Sequence, residues 1–270
     1  HSTRPINLVD ANRHTDKPAH ANIVLNSTFS FFRTINTNGF KEVHFVDEKY
    51  IAENVKPYKT YQREIPQPRP NIVILIVESL GREYIGAFNE EKNIKDYVSY
   101  TPFLDSLSQH SLVFTNLYAT GNRTVRGLEA LTLCIPPTAG ESIVKRKDNK
   151  NKFTTGSVFK SKGYNIKYLY GGYSYFDNMK DFFGGNGYEI VDRDNFKPEE
   201  IVFANIWGVS DEDMARKAIE TMNEDAKKGK PFFHHWMTVS NHRPFTYPEG
   251  RIDIPGTAKS RDGGVKYTDY

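Results

Sequence analysis

The chain changes character near residue 70. Residues 1–68 mix polar and apolar positions with little period, apart from Ala21–Asn36, where Ile23, Val24, Leu25, Phe29, Phe31 and Phe32 mark one apolar helical face. The segment Gln67-Pro68-Arg69-Pro70 closes this arm, because proline fixes φ and holds the residue before it extended. Beyond it, apolar runs alternate with amphipathic stretches. Asn71–Val77 (NIVILIV) is almost wholly branched aliphatic, the pattern of a central strand buried on both faces. Thr101-Pro102 opens a helix reaching Leu107, with a capping residue followed by proline at the first helical position. Ser111–Ala119 (SLVFTNLYA) predicts a strand, and Val125–Leu133 a helix stopped by Pro136-Pro137. A helix capped at Gly163 leads into a strand over Tyr164–Tyr170. Asp211–Lys228 gathers Met214, Ala215, Ala218, Ile219 and Met222 on one face, with acids early and lysines late as the helix dipole favours. Phe232–Val239 (FFHHWMTV) supplies one more buried strand. Strands separated by helices predict an α/β domain over 69–270, its doubly wound, mostly parallel sheet flanked by helices.

Composition narrows the function without naming it. With 270 residues and 38% apolar content, the chain can bury a substantial core. Its 36 basic and 33 acidic residues nearly cancel, and the only dense basic block is the short Lys145–Lys152 stretch, which argues against nucleic acid as a partner. A single cysteine, Cys134, excludes an intrachain disulfide framework and a cysteine-rich zinc site. The longest aliphatic run, Ile72–Val77, is far short of the roughly 20 residues that span a bilayer.

In open α/β sheets ligands collect at the carboxyl ends of strands, and three such places carry chemistry. Glu78 directly follows NIVILIV, where a carboxylate needs a metal, a partner or a helix N-terminus to offset its desolvation. Thr124, in Gly121-Asn122-Arg123-Thr124-Val125-Arg126-Gly127, stands where a helix begins. Its hydroxyl suits either an N-cap or a nucleophile facing an anion. His242, in Ser240-Asn241-His242-Arg243-Pro244-Phe245, follows the last strand and suits a phosphate or sugar hydroxyl, or plain solvation. His234 and His235 are adjacent in a strand, so they point to opposite faces and read as packing residues.

Taken together, NIVILIVES, then TPFLDSLSQHSLVFTNLYATGNRTVRGLEALT, then FFHHWMTVSNHRPF resemble the lipoteichoic acid synthase and phosphoglycerol transferase branch of the alkaline-phosphatase/sulfatase superfamily over about residues 70–270. The resemblance implies a divalent metal, Mn²⁺ first and Mg²⁺ or Zn²⁺ as alternatives, bound by Glu78 and by Thr124, which is also the implied nucleophile. It implies that His242 contacts a glycerophosphate head group, and that Phe176 and Asn178 stand where the family's substrate loop carries an aromatic residue and an arginine. Arg123 or Arg126 would offset the charge of the substrate, or form surface ion pairs. An Asp-His pair on a later strand is also implied. These residues contain no Asp-His dipeptide, so the domain is expected to be incomplete toward its C-terminus.

The implied reaction moves a phosphoglycerol group from a glycerophospholipid donor, through a phospho-threonine, to a hydroxyl on a glycan or lipid acceptor. Phosphoethanolamine transfer uses the same threonine chemistry. Sulfatase activity fits less well, because a modifiable Cys or Ser is expected where Thr124 stands, and a catalytically silent binding domain is the reading of another class. The arm over 1–68 would lead from a membrane anchor, at the extracytoplasmic face of a bacterial cytoplasmic membrane.

Overall fold

In the computed structural model the described residues are 68–89, 95–137 and 140–270, with short stretches before them, chiefly 44–56. Most of the helix expected over 21–36, and most of the arm over 1–68, lie outside them. A short helix, α1 (Glu48–Asn54), precedes the domain. The domain then runs β1 (Ile72–Ile76), α2 (Pro102–Ser108), α3 (Thr124–Leu133), α4 (Thr155–Ser161), β2 (Asn165–Tyr170), α5 (Met179–Gly185), β3 (Glu189–Val191), α6 (Asp211–Lys227), β4 (Phe232–Met237) and α7 (Arg261–Asp269).

The four strands form one sheet in the order β1-β4-β2-β3, and every pairing is parallel. Register places Ile74, His235 and Tyr168 side by side on one face, and Leu75, Trp236 and Leu169 on the other. The first face carries the larger core, where Val125 and Leu128 of α3 and Met179, Phe182 and Phe183 of α5 pack on Ile166, Tyr168, Phe233 and Met237. The second face is covered by α6, whose Met214 and Ala218 pack with Leu169 and Val209. Helices on both faces make the sheet doubly wound, as the alternation of elements predicted.

Two expectations are corrected. β1 is not buried on both faces, since Val73 is 40% and Leu75 50% exposed while Ile72, Ile74 and Ile76 face the core. Among the described residues it is an edge strand, and α6 packs over β2 and β4 rather than over it. Nor do residues 111–119 form a strand. They run as irregular chain with Leu112, Leu117 and Tyr118 exposed, because no strand among the described residues lies beside them to complete a ladder.

Capping by α7 was not legible in the sequence. Thr101 sits at the N-cap of α2, with Pro102 after it, but makes no side-chain cap bond. The buried Asp269 carboxylate at the end of α7 accepts from Phe103 N at 2.8 Å and Leu104 N at 2.9 Å instead, tying the two helices together. Within the sheet, Lys167 of β2 and His234 of β4 lie side by side, and both reach Asp225 of α6, at 3.2 and 3.1 Å. Burial pushes the Asp225 carboxyl up, but Lys167 and His234 outweigh it and hold it below its ordinary value. His235 faces the other core among Phe183, Tyr188 and Phe233, and neither of its ring nitrogens has a hydrogen-bond partner.

Candidate active site

Parallel strands deliver their carboxyl ends to one rim, and there the candidate residues meet. Glu78 lies in a turn two residues beyond β1 rather than at a helix start, so the dipole-capping alternative is not realised. Its N–H donates to Thr238 Oγ at 2.9 Å, just past β4, and its carbonyl accepts from Asn241 Nδ2 at 3.0 Å. These two bonds fix the backbone of Glu78 against the end of the neighbouring strand.

Thr124 is the first residue of α3, and Arg123 before it makes no side-chain cap bond. The Thr124 hydroxyl is therefore not spent on capping. It donates to Glu78 Oε2 at 2.9 Å, while Ser79 Oγ donates to Glu78 Oε1 at 2.8 Å. A hydroxyl hydrogen-bonded to a carboxylate has its proton directed away from its remaining lone pairs, which are left for an electrophile.

Above this pair opens a cleft with ≈ 380 Å³ of empty space, open to solvent, with Glu78, Thr124 and Thr238 among its polar lining beside Val125, Met179 and Met237. Phe176, Trp207 and His242 also line it. The Trp207 ring lies 4.0 Å from that of His242, and Phe176 meets Trp207 edge-on at 5.6 Å. The Trp207 indole N–H donates to Arg243 O. The buried Tyr170 also lines the cleft, and burial, reinforced by the charge of Glu78, raises its phenol so that it stays neutral.

Glu78, Thr124, His242 and Phe176 are thus brought together. Asn178 is not: its Nδ2 faces the carbonyls of Lys145 and Arg146 at 3.5 and 3.4 Å, and its neighbour Asp177 lines the cleft. Arg126 turns to Glu129 at 3.1 Å and to Gly140 O, and Arg123 is exposed at the N-cap of α3. Neither arginine lines the cleft.

Sequence reasoning missed Asp177, Trp207 and Asp211. Trp207 is placed by the residue after it: Gly208 has φ +155, and a side chain there would collide with the Gly171 carbonyl, so the loops after β2 and before α6 pack backbone to backbone. Asp211, at the start of α6, accepts from Val239 N at 2.7 Å and Ser240 N at 3.0 Å. Burial pushes its carboxyl up to about 6, with a further rise from Glu78, against the pull of those two N–H groups. A Gly-Gly pair after a strand and a Trp-Gly pair before a helix were the available signals.

The oxygens of Glu78 and Thr124 are hard donors suited to Mg²⁺ or Mn²⁺. They fit one side of such a site and do not complete it, since among the described residues no group of three or more His, Cys, Asp or Glu could hold a metal ion.

A parallel sheet covered on both faces, with a threonine and a carboxylate meeting at its carboxyl rim, is the fold of the alkaline-phosphatase superfamily. A solved protein of that superfamily from Vibrio parahaemolyticus superposes with a TM-score of 0.69 at 41% identity, over 76% of this chain and 49% of its own. The lipoteichoic acid synthase LtaP from Listeria monocytogenes shares the fold at a TM-score of 0.62 and 21% identity, over 74% and 49% of the two chains. Residues 70–270 match the sulfatase family model, and the chain belongs to that family. Phosphoglycerol transferase I from Escherichia coli O127:H6 is 26% identical over 200 residues, covering 69% of this chain and 25% of the relative. The chain thus spans about a quarter of the curated relatives it matches and about half of the solved chains.

Proposed function

We propose that this domain carries the nucleophile of a phosphoglycerol transferase, with Thr124 attacking the phosphorus of a phosphatidylglycerol-like donor. The observation that supports it is the 2.9 Å hydrogen bond from the Thr124 hydroxyl to Glu78 at the base of an open cleft. The likeness to phosphoglycerol transferase I points the same way.

The reaction is a double displacement. Thr124 Oγ forms a bond to phosphorus, the bond from phosphorus to the diacylglycerol oxygen breaks, and diacylglycerol leaves carrying a proton. An acceptor hydroxyl, on a glycan or another lipid, then attacks the phosphoglycerol-threonine. It gives up its proton as Thr124 is restored. Glu78 holds Thr124 in place by its hydrogen bond, and His242 orients the head group from the cleft wall. Glu78 and Thr124 would also hold a divalent cation, Mn²⁺ first among Mn²⁺, Mg²⁺ and Zn²⁺, together with ligands from outside these residues; when bound it supplies neutralisation of the phosphoryl charge and a more acidic hydroxyl.

The whole protein would work at the extracytoplasmic face of a bacterial cytoplasmic membrane, where such donors lie. Among the described residues no helix is long and apolar enough to cross a membrane, so the proposed anchor lies elsewhere. The test is intact-mass analysis of the full-length protein after reaction with a phosphatidylglycerol donor. A gain of one phosphoglycerol unit is expected in the wild type and none in Thr124→Ala. An adduct that persists on Thr124→Ala sinks the assignment.

A further inference from the structure

The cleft wall holds a charged group that the proposed reaction does not use. Asp177 lines the cleft with Glu78 and His242, and no lysine or arginine lines it with them. Its backbone has φ +51, and Asn178 after it has φ +62, so two consecutive non-glycine residues adopt the left-handed conformation. Asp and Asn tolerate that region better than other side chains, though at a cost. The consequence is a local reversal that turns Asn178 toward the 145–146 backbone and leaves Asp177 on the cleft side. Lys145 Nζ pairs with Asp177 Oδ1 at 2.9 Å, which fixes the carboxylate and offsets part of its charge. Its Oδ2 has no partner among the described residues.

His242 presents the same chemistry. Its Nδ1 lies 3.1 Å from Arg243 O, and a carbonyl only accepts, so Nδ1 carries the proton of that bond. In the neutral ring Nε2 is then an acceptor. Between these two acceptors runs an apolar wall, Phe176 on Trp207 and Trp207 on His242. Two acceptors separated by aromatic surface call for a ligand that brings two separate donors. A glycerol head group does so with its two hydroxyls; a primary ammonium would pair with the carboxylate and leave the histidine unmet, and a quaternary ammonium has no donor.

We infer that Asp177 is the specificity-determining residue for the donor, its carboxylate accepting a hydrogen bond from one hydroxyl of a glycerol head group while His242 takes the other. This rests on the phosphoglycerol-transfer reading and names the group that selects the head group. It also moves the loop contact from Asn178, which the resemblance matches to the family's substrate-loop arginine, to its neighbour.

The test uses the full-length protein and four donors with identical acyl chains, bearing glycerol, n-propyl, ethanolamine or choline on the phosphate. The variants are Asp177→Gly, which removes the carboxylate and accepts the left-handed backbone, and Asp177→Asn, which keeps the shape and loses the charge. Wild type is expected to favour glycerol over n-propyl by at least about tenfold in kcat/KM, the scale of a hydrogen bond to a charged group. Asp177→Gly should erase that preference by lowering glycerol turnover alone, and Asp177→Asn should fall between. An equal fall on the glycerol and n-propyl donors would mean that Asp177 only shapes the loop and would overturn the inference, as would no change on either. A wild-type preference for ethanolamine would assign the carboxylate to an ammonium, and one for choline would assign selection to the aromatic wall; either would overturn it too. Absence of wild-type turnover on every glycerol donor would remove the phosphoglycerol reading itself, an outcome distinct from turnover that ignores Asp177.

Discussion

Thr124 and Glu78 are 46 residues apart in sequence, and their side chains meet at 2.9 Å where α3 begins and β1 has just ended. The contact replaces two bland roles at once: Thr124 does not cap its helix, and Glu78 does not sit at a helix N-terminus. A hydrogen bond from a hydroxyl to a half-buried carboxylate should couple the two residues by about 1–2 kcal/mol. Urea denaturation of Thr124→Val, Glu78→Gln and the double variant measures this as a double-mutant cycle. Additive losses would mean the two side chains are neighbours without energetic consequence.

Metal binding follows from the donor count. Glu78 and Thr124 are the proposed ligands, and among the described residues no group of three or more His, Cys, Asp or Glu could hold a metal ion, so Mn²⁺ should bind these residues weakly, and the full-length protein should bind more tightly by at least about tenfold. Glu78→Gln should abolish the weak binding, because an amide oxygen is a poorer ligand than a carboxylate. Calorimetric titration of the three proteins decides. Equal affinity in the short and full-length proteins would show that no ligand is missing here.

Trp207 supports His242 in two ways, through ring contact and through the indole N–H on Arg243 O. Trp207→Ala should lower kcat/KM on the glycerol donor about tenfold and destabilise the domain by about 2 kcal/mol, since the residue is only half-buried. Trp207→Phe keeps the ring contact and should retain most activity. If both variants lose activity equally, the N–H rather than the ring holds His242.

Acid stability is set partly by the buried histidines. Burial lowers His235 to about 4, with no partner to compensate. Its neutral form is favoured in the fold, so its contribution is fully present above the unfolded value near 6.5 and is lost as pH falls to about 4. Over that window the loss amounts to up to about 3 kcal/mol. His235→Phe, in an aromatic environment, should flatten the acid limb by this amount when unfolding is compared at pH 7 and pH 4.5. Asp211 acts with the opposite sign: its carboxyl is raised to about 6, so its contribution is present at low pH and is lost as pH rises through 6. An acid limb unchanged in His235→Phe would place the titration elsewhere, His234 being the next candidate.

Much of this domain is legible in its sequence because hydrophobic period survives folding. β2, β4, α3 and α6 lie within a residue or two of where their patterns place them, and strands ended by Glu78, Thr238 and the Ser240–His242 turn announce one rim. What escaped reading depends on partners. NIVILIV looks central, yet neighbours decide whether a strand is central, and among the described residues Val73 and Leu75 stay exposed on their outer face. Ser111–Ala119 has a strand's composition and lacks a ladder. Asp177 rather than Asn178 lines the cleft because two left-handed residues reverse the chain, a choice that composition permits but does not announce.

The pairing of β1 with β4 also sets the order in which the molecule assembles. Ile72 is registered with Phe233, so β1 waits for β4, far later in the chain, before the ladder between them can form. At roughly 5–20 residues per second, the intervening stretch takes roughly 10–30 s to emerge from a ribosome. For that interval an aliphatic strand waits beside irregular, apolar chain at 111–119. High contact order slows folding in general, and here the Glu78 rim forms only after β4, because Glu78 is positioned by Thr238 and Asn241. A nascent chain stalled before β4 therefore exposes its stickiest segment and carries no assembled site.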